Sequence, residues 1–280
     1  MPSLLFYKNV IPLNKDIHAK LKLKNLSSFA FSADTTVVPI VGSEFIEVAK
    51  RMPIAFLRLE GGSLLPIALV GLPNQKNVFL DASQSWVTPY IPAFVRRYPF
   101  IFAETGPDEL TLCLDMDYAG LNEEDGEPFF VEKDGNVEPS AFVNAALQMV
   151  SEYQRQHILT TQFAKKLENL GLLVDSTVKA NLPQGEPYEL TGFLVVDSEK
   201  LRQISDEALK DLFLTGELDL IYAHLHSLGN ILELLRLNAV PIEVQKDTSV
   251  ANPATTESKA ATVAKKTAVL GKKILKKTVS

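Results

Sequence analysis

The chain has 280 residues, 46% of them hydrophobic and 22% charged, with a net charge of −6 and a single cysteine, Cys113. That composition suits a globular body with one large core or two small ones. It excludes an intrachain disulfide and a Cys-based zinc site, and it suits a reducing compartment. The charge is uneven: residues 258–280 hold seven Lys and no acid, which leaves −13 on the rest, a surface poorly suited to nucleic acid.

From the N-terminus, the apolar run 4–7 ahead of Lys8 is too short for a signal-peptide core, so export by the general secretory route is not expected. The longest uncharged apolar stretch, 63–73, is about half a membrane span and holds Pro66 and Pro73. Runs 4–7, 54–59, 64–69 and 78–81 predict strands, with Gly61 and Gly62 supplying a hairpin turn between the second and third. A short helix is expected after Ser43 as N-cap, with Glu44 and Glu47 early, Lys50 and Arg51 late, and Pro53 as its stop. Two more strands, 100–103 and 110–114, flank a Gly106-Pro107-Asp108 turn, and an acidic loop is expected over 115–138.

The longest helix is predicted after Pro139, capped by Ser140 and ended by Gly171. Its apolar face runs through Phe142, Ala146, Met149, Tyr153, His157, Thr160, Phe163, Leu167 and Leu170. A hairpin of 177–182 and 188–196 follows. Helices capped by Asp197 and Ser205 then lead to a last helix over 217–237. Strands first and helices later predict an α+β fold: a strand-rich, mostly antiparallel N-terminal half packed with a long central helix, a hairpin and a C-terminal helical segment. The expected division is a body over 1–240 and a flexible Lys/Ala/Thr-rich tail over 241–280.

The densest segment, 86–100, holds Trp86, Tyr90, Arg96, Arg97 and Tyr98 among three prolines. Two guanidiniums can bind a carboxylate or phosphate bidentately, so these residues are candidates for a ligand or partner site. The alternative is a structural lock, with the aromatics plugging the sheet and the arginines paired to nearby acids. Between Glu104 and Glu138 stand twelve carboxylates and one base, Lys133. Asp115 is a further candidate, and Asp115-Met116-Asp117 offers a carboxylate pair. The calcium-loop template fails, because Ala119 and Gly126 stand at its fifth and twelfth places. His224 and His226 would point about 200° apart on a helix, so no metal site is expected. His224 remains a candidate for polar or acid–base work, weighed against packing in the core with Ser227 and Asn230 making local contacts. No phosphate loop, dinucleotide fingerprint, nucleophile elbow or zinc-protease motif is present, so no cofactor is expected; the alternative to a binding protein is an enzyme of unknown class acting on an anionic small molecule through a pocket near Arg96/Arg97, with Asp115, Asp117 or His224 for acid–base work. The Lys pairs of the tail fill one half of a helical wheel over 260–279, an amphipathic pattern able to contact anionic membrane or acidic surfaces weakly.

The chain resembles the SapC-like family of bacterial proteins. The likeness is carried by Phe6-Tyr7-Lys8-Asn9-Val10-Ile11-Pro12-Leu13, by Tyr90-Ile91-Pro92-Ala93-Phe94-Val95-Arg96-Arg97-Tyr98-Pro99-Phe100, and by Leu112-Cys113-Leu114-Asp115. It continues through Gly192-Phe193-Leu194-Val195-Val196-Asp197 to Ile221-Tyr222-Ala223-His224-Leu225-His226-Ser227-Leu228-Gly229-Asn230, and the tail lies outside it. The resemblance implies a non-enzymatic accessory or binding role in a surface-layer or envelope-associated system. It further implies protein partners in that pathway. The single cysteine and the short N-terminal apolar run suit a cytoplasmic location, and the Lys-rich tail allows peripheral contact with the inner membrane. It carries over no catalytic residue.

Overall fold

The computed structural model describes residues 5–73, 75–106, 109–180 and 188–238. The predicted tail, 241–280, lies outside the described residues, as does the turn of the second hairpin.

In chain order the strands are β1 (Val10–Pro12), β2 (Lys22–Leu23), β3 (Val37–Pro39), β4 (Ile54–Arg58), β5 (Leu64–Leu69), β6 (Phe100–Gly106) and β7 (Glu109–Asp115). They continue with β8 (Leu121–Asn122), β9 (Glu127–Pro128), β10 (Phe130–Lys133), β11 (Asn136–Pro139), β12 (Leu173–Ala180) and β13 (Tyr188–Val196). The helices are α1 (Lys15–His18), α2 (Phe45–Ala49), α3 (Ala93–Arg96), α4 (Ala141–Asn169), α5 (Ser198–Leu201), α6 (Asp206–Leu214), α7 (Glu217–Ser227) and α8 (Ile231–Leu237). The fold is α+β with antiparallel sheets. The largest has the order β12-β13-β4-β5-β3, and a second has the order β1-β7-β6.

The hairpin of β4 and β5 follows from its sequence. Gly61 and Gly62 both take positive φ, +91° and +85°, which a side chain would resist. Leu59 N–H closes the turn on Ser63 O at 2.8 Å. Every residue of β5 is buried, as is β4 up to Leu57, because both strands lie inside the sheet with helices on it. Helix α4 starts where predicted: the Ser140 hydroxyl accepts from Val143 N–H at 3.2 Å. Its first turns bury Val143, Ala146 and Val150 in a small core with Phe100, Leu114 and Phe129. Its later turns bury Tyr153, Phe163 and Leu167 in the main core. One helix therefore fixes the second sheet against the first, and it packs on both β5 and β6.

Several expectations are corrected. Residues 115–138 are not one loop. They form β8 and β9, which flank β2 in a three-stranded sheet, and the β10–β11 hairpin. Strands of two to four mostly exposed residues carry no apolar alternation, so the acids masked them. Phe6 lies in a turn and Tyr7 follows it, both buried, and the strand begins at Val10. Residues 78–81 form no strand and contribute one isolated bridge, Leu80–Trp86. Ser43 caps nothing: a 3-10 turn over Gly42–Glu44 precedes α2, and the Glu44 carboxylate accepts from Val41 N–H at 3.1 Å. The last helix is broken between α7 and α8 by a 3-10 turn, Leu228–Asn230. Among the described residues, no helix is long and apolar enough to cross a membrane.

Candidate functional site

Successive residues on a helical turn point about 100° apart, and this separates the two arginines at the end of α3. Arg96 is exposed: its Nε–H donates to Ile91 O at 2.9 Å and its guanidinium lies 5.5 Å from the Tyr90 ring centroid. Arg97 is 2% exposed. Its guanidinium carbon sits 4.3 Å from the ring centroids of both Phe94 and Tyr153, and 5.8 Å from that of Tyr7. A paired grip by both arginines on one anion is therefore not available.

Arg97 lines a cavity of about 230 Å3. The cavity lies between the β4–β5 hairpin, the β6–β7 hairpin and α4. Leu59, Ser63, Leu64 and Leu65 come from the first, Ile101, Phe102 and Leu110 from the second, and Gln154, His157 and Thr161 from the helix. Ser63 and Leu110 are solvent-exposed at its rim while Arg97 is buried at its base. Among the described residues no carboxylate forms an ion pair with Arg97. Its Nε and Nη2 are sealed from water without a hydrogen-bond acceptor, and the Tyr153 hydroxyl is sealed and unpaired as well. A cation taken out of water costs several kcal/mol unless it is paired and hydrogen-bonded. Aromatic faces return about 2 kcal/mol when desolvated but accept no N–H bond in the ring plane.

The charge is felt by its neighbours. Burial pushes the Tyr7 hydroxyl up to about 12, although Arg97 pulls the other way, and burial likewise raises Tyr153. Burial, then the Arg97 cation, hold His157 below the usual histidine range, so its ring is neutral at pH 7. That ring lies parallel to Tyr153, with centroids 6.3 Å apart. The cavity thus presents one fixed positive charge, a neutral imidazole, one amide, two hydroxyls and an apolar wall.

A family model described as SapC matches residues 13–234, most of the chain. The chain belongs to the SapC family. No curated protein and no solved structure matches it.

In this SapC-family chain the other candidates stand apart from the cavity. Trp86 donates its indole N–H to Thr88 Oγ1 and to Tyr90 O, and stacks on Phe79 with centroids 6.2 Å apart. Tyr90 donates its hydroxyl to Glu44 at 2.7 Å, and Ala93 N–H donates to the same oxygen. Glu44 is buried under the segment and holds it in place. Burial raises its carboxyl, while the bonds from Ala93, Tyr90 and Val41 act against that rise. A larger hollow of about 390 Å3 lies beside Tyr90, but of its bases Lys50 is already paired to Glu47 at 2.5 Å. Tyr98 stacks on Phe31 at 4.2 Å and reaches Asp115 Oδ2 at 3.3 Å. The aromatic contacts match the structural-lock alternative for the segment, but among the described residues neither arginine is ion-paired to an acid: Arg96 donates to Ile91 O and to the Tyr90 hydroxyl, and Arg97 is buried without an acid partner.

Asp115 is wholly buried. Its carboxylate accepts from the N–H groups of Lys8, Asn9 and Asp117 at 2.9–3.1 Å, tying the N-terminal segment to the end of β7. Asp117 is exposed, and among the described residues no cluster of three His, Cys, Asp or Glu is placed to hold a metal ion. His224 is also wholly buried: Nδ1–H donates to Ile54 O and Nε2 accepts from Val196 N–H, both at 3.0 Å. Ser227 makes the expected local bond, its hydroxyl donating to His224 O at 2.6 Å, and adds a long-range one, while the Asn230 bond is long-range. Ser227 Oγ accepts from Ile54 N–H at 2.9 Å, and Asn230 donates to Ala49 O at 2.7 Å.

The sequence pointed to Arg97 through its pairing with Arg96, but not to the residues that make its surroundings. Tyr153 and His157 were legible only as members of the apolar face of α4. Tyr7 and Glu44 were legible only as parts of local elements and Gln154 not at all, because what matters about them is contact across long sequence separations.

Proposed function

We propose that this SapC-family chain is a non-enzymatic binding protein whose cavity over Arg97 holds a small anionic molecule. We further propose that it serves as an accessory component of a surface-layer or envelope-associated system with protein partners there, as the family resemblance implies. The observation that carries the binding reading is a buried guanidinium, without an anionic partner, lining a cavity with an exposed rim. An anion seated there would supply the missing counter-charge. The enzymatic alternative drew its acid–base groups from Asp115, Asp117 and His224. None of them lines the cavity, and the first and last are spent on backbone groups. That favours capture over turnover.

Arg97→Met tests the reading. Replacing an unpaired buried ion by an apolar side chain of similar length is expected to leave stability without ligand unchanged or about 1–3 kcal/mol higher. Anion binding should disappear. Urea denaturation and titration calorimetry on the full chain measure the two. A loss of several kcal/mol without ligand would assign Arg97 to the fold alone, and unchanged anion binding would remove the site.

The proposed location is the cytoplasm, with Lys-rich residues 258–280 giving weak attachment to the inner membrane. Their seven Lys oppose the −13 of the rest of the chain. Co-sedimentation with anionic vesicles should fall at least about threefold when residues 250–280 are removed, as near-surface Lys contribute roughly 1 kcal/mol each. Equal sedimentation of both forms would sink the idea.

A further inference from the structure

We infer that the outward face of α6 is a docking surface for the chain's own Lys-rich end, residues 263–277. The inference goes beyond the anion-binding reading and does not depend on it.

The face follows from helical spacing. Leu212 is the buried residue of α6. At about 100° per residue, Leu209, Phe213 and Leu214 fall on a different arc, roughly 140° wide. They are 43%, 69% and 71% exposed, and among the large apolar side chains of the described residues Ile17 alone exceeds the last two. Apolar side chains left in solvent side by side mark an interaction site, where single ones need no explanation.

Charge decides what covers it. Residues 205–219 hold Asp206, Glu207, Asp211, Glu217 and Asp219 against one base, Lys210. Asp211 and Glu217 are paired to Lys166, while Asp206, Glu207 and Asp219 are exposed and form no ion pair among the described residues. The matching occupant is basic with an apolar stripe. Residues 263–277 have that pattern. On a helical wheel Val263, Leu270 and Ile274 fall within about 40° of one another, and the three Lys pairs fill the other half, with no acid in the segment.

The chain is long enough for the contact. The described residues end at Asn238, and 24 residues, 239–262, separate it from Val263. That length spans up to about 80 Å. From Leu214 to Asn238 the chain runs through α7 and α8, which places α6 within roughly 40 Å of the starting point. Two parts of one chain meet at an effective concentration of roughly millimolar, so a few apolar side chains and charges suffice. Anionic vesicles draw on the same Lys pairs, so docking on α6 competes with membrane contact and keeps it weak.

The experiment is carbodiimide coupling of the full chain at about 0.05 M salt, where surface charges are weakly screened. The reagent joins a Lys amine to a carboxylate in contact with it, and mass spectrometry identifies the joined peptides. Lys272, Lys273, Lys276 and Lys277 should couple to Asp206, Glu207 and Asp219 of the same chain at least about threefold more than to Glu123, Glu132 and Glu138, which are also exposed. Phe213→Ser with Leu214→Ser keeps every charge and changes side chains that stand in solvent. Its urea midpoint should stay at the wild-type value while coupling falls at least about threefold. Leu270→Ser with Ile274→Ser changes only the Lys-rich end and should produce the same fall. Coupling spread evenly over exposed acids, absent, or undiminished in either double variant would overturn the docking surface. Coupling between chains in place of within one would hand the α6 face to a second copy and overturn the inference as well.

Discussion

Asp115→Ala is expected to destabilise the chain by about 4 kcal/mol, because it leaves three backbone N–H groups without an acceptor at a buried position. The groups belong to Lys8, Asn9 and Asp117, and Tyr98 loses its hydroxyl contact as well. Each buried orphan donor costs about 1–3 kcal/mol, and bonds to a charged acceptor lie at the upper end of the usual range. The loss is concentrated at the start of β1, where Val10 pairs with Asp115 and Met116 N–H donates to Asn9 O. Asp115→Asn should cost about half as much, since one oxygen survives while the amide NH2 faces N–H donors. Urea denaturation followed by circular dichroism measures both, with an unchanged slope expected for a folded, weakened chain. An Ala variant within about 1 kcal/mol of wild type would show that water replaces the carboxylate at no cost.

Acidification is expected to remove about 3 kcal/mol through His224 alone. Burial pushes its imidazole down to about 4, against about 6.5 in the unfolded chain, while the bond to Ile54 O acts weakly the other way. Between those values the unfolded chain binds a proton that the native chain refuses. Stability is therefore complete above about pH 6.5 and is lost as pH falls toward 4. The structural reason is that Nε2 must accept from Val196 N–H, and a protonated ring has no acceptor. The position is costly to disturb. β4 and β13 pair at a single register point, Leu194 with Phe56, and the ring bridges the two strands where their ladder is open. Ser227, one turn on, accepts from Ile54 N–H, so a His-x-x-Ser spacing on α7 satisfies both backbone groups of Ile54. Burial lowers His157 too, which adds to the same acid loss. Burial raises Glu44, whose contribution instead grows on acidification. The difference between wild type and His224→Gln isolates His224. Urea midpoints at pH 7.5, 5.5 and 4.5 should converge as pH falls, and parallel curves for the two proteins would refute the assignment.

These two residues, together with Arg97, mark the limit of what local pattern could reveal. Asp115 stood in an acidic run that read as solvated, and the bonds that define it reach back more than a hundred residues. His224 was legible as a candidate for polar or acid–base work or as a core packer. Only the opening between β4 and β13 makes its two nitrogens a substitute for ladder bonds. Arg96 and Arg97 looked equivalent, and helical geometry put one in solvent and the other beneath Tyr153 of α4.

The sequence by itself determined the local elements whose signals are short-range: the Ser140 cap and apolar face of α4, the Gly61-Gly62 hairpin, and the separation of acidic body from Lys-rich end. It also determined the family, because a family model built on sequence alone matches residues 13–234. The tertiary structure alone decided which polar groups are spent and which are free. Whether a buried charge is paired depends on side chains brought together from β-hairpins and a helix far apart in the chain. For Arg97 that meeting leaves a cation facing aromatic rings and a cavity, with its counter-charge still to come.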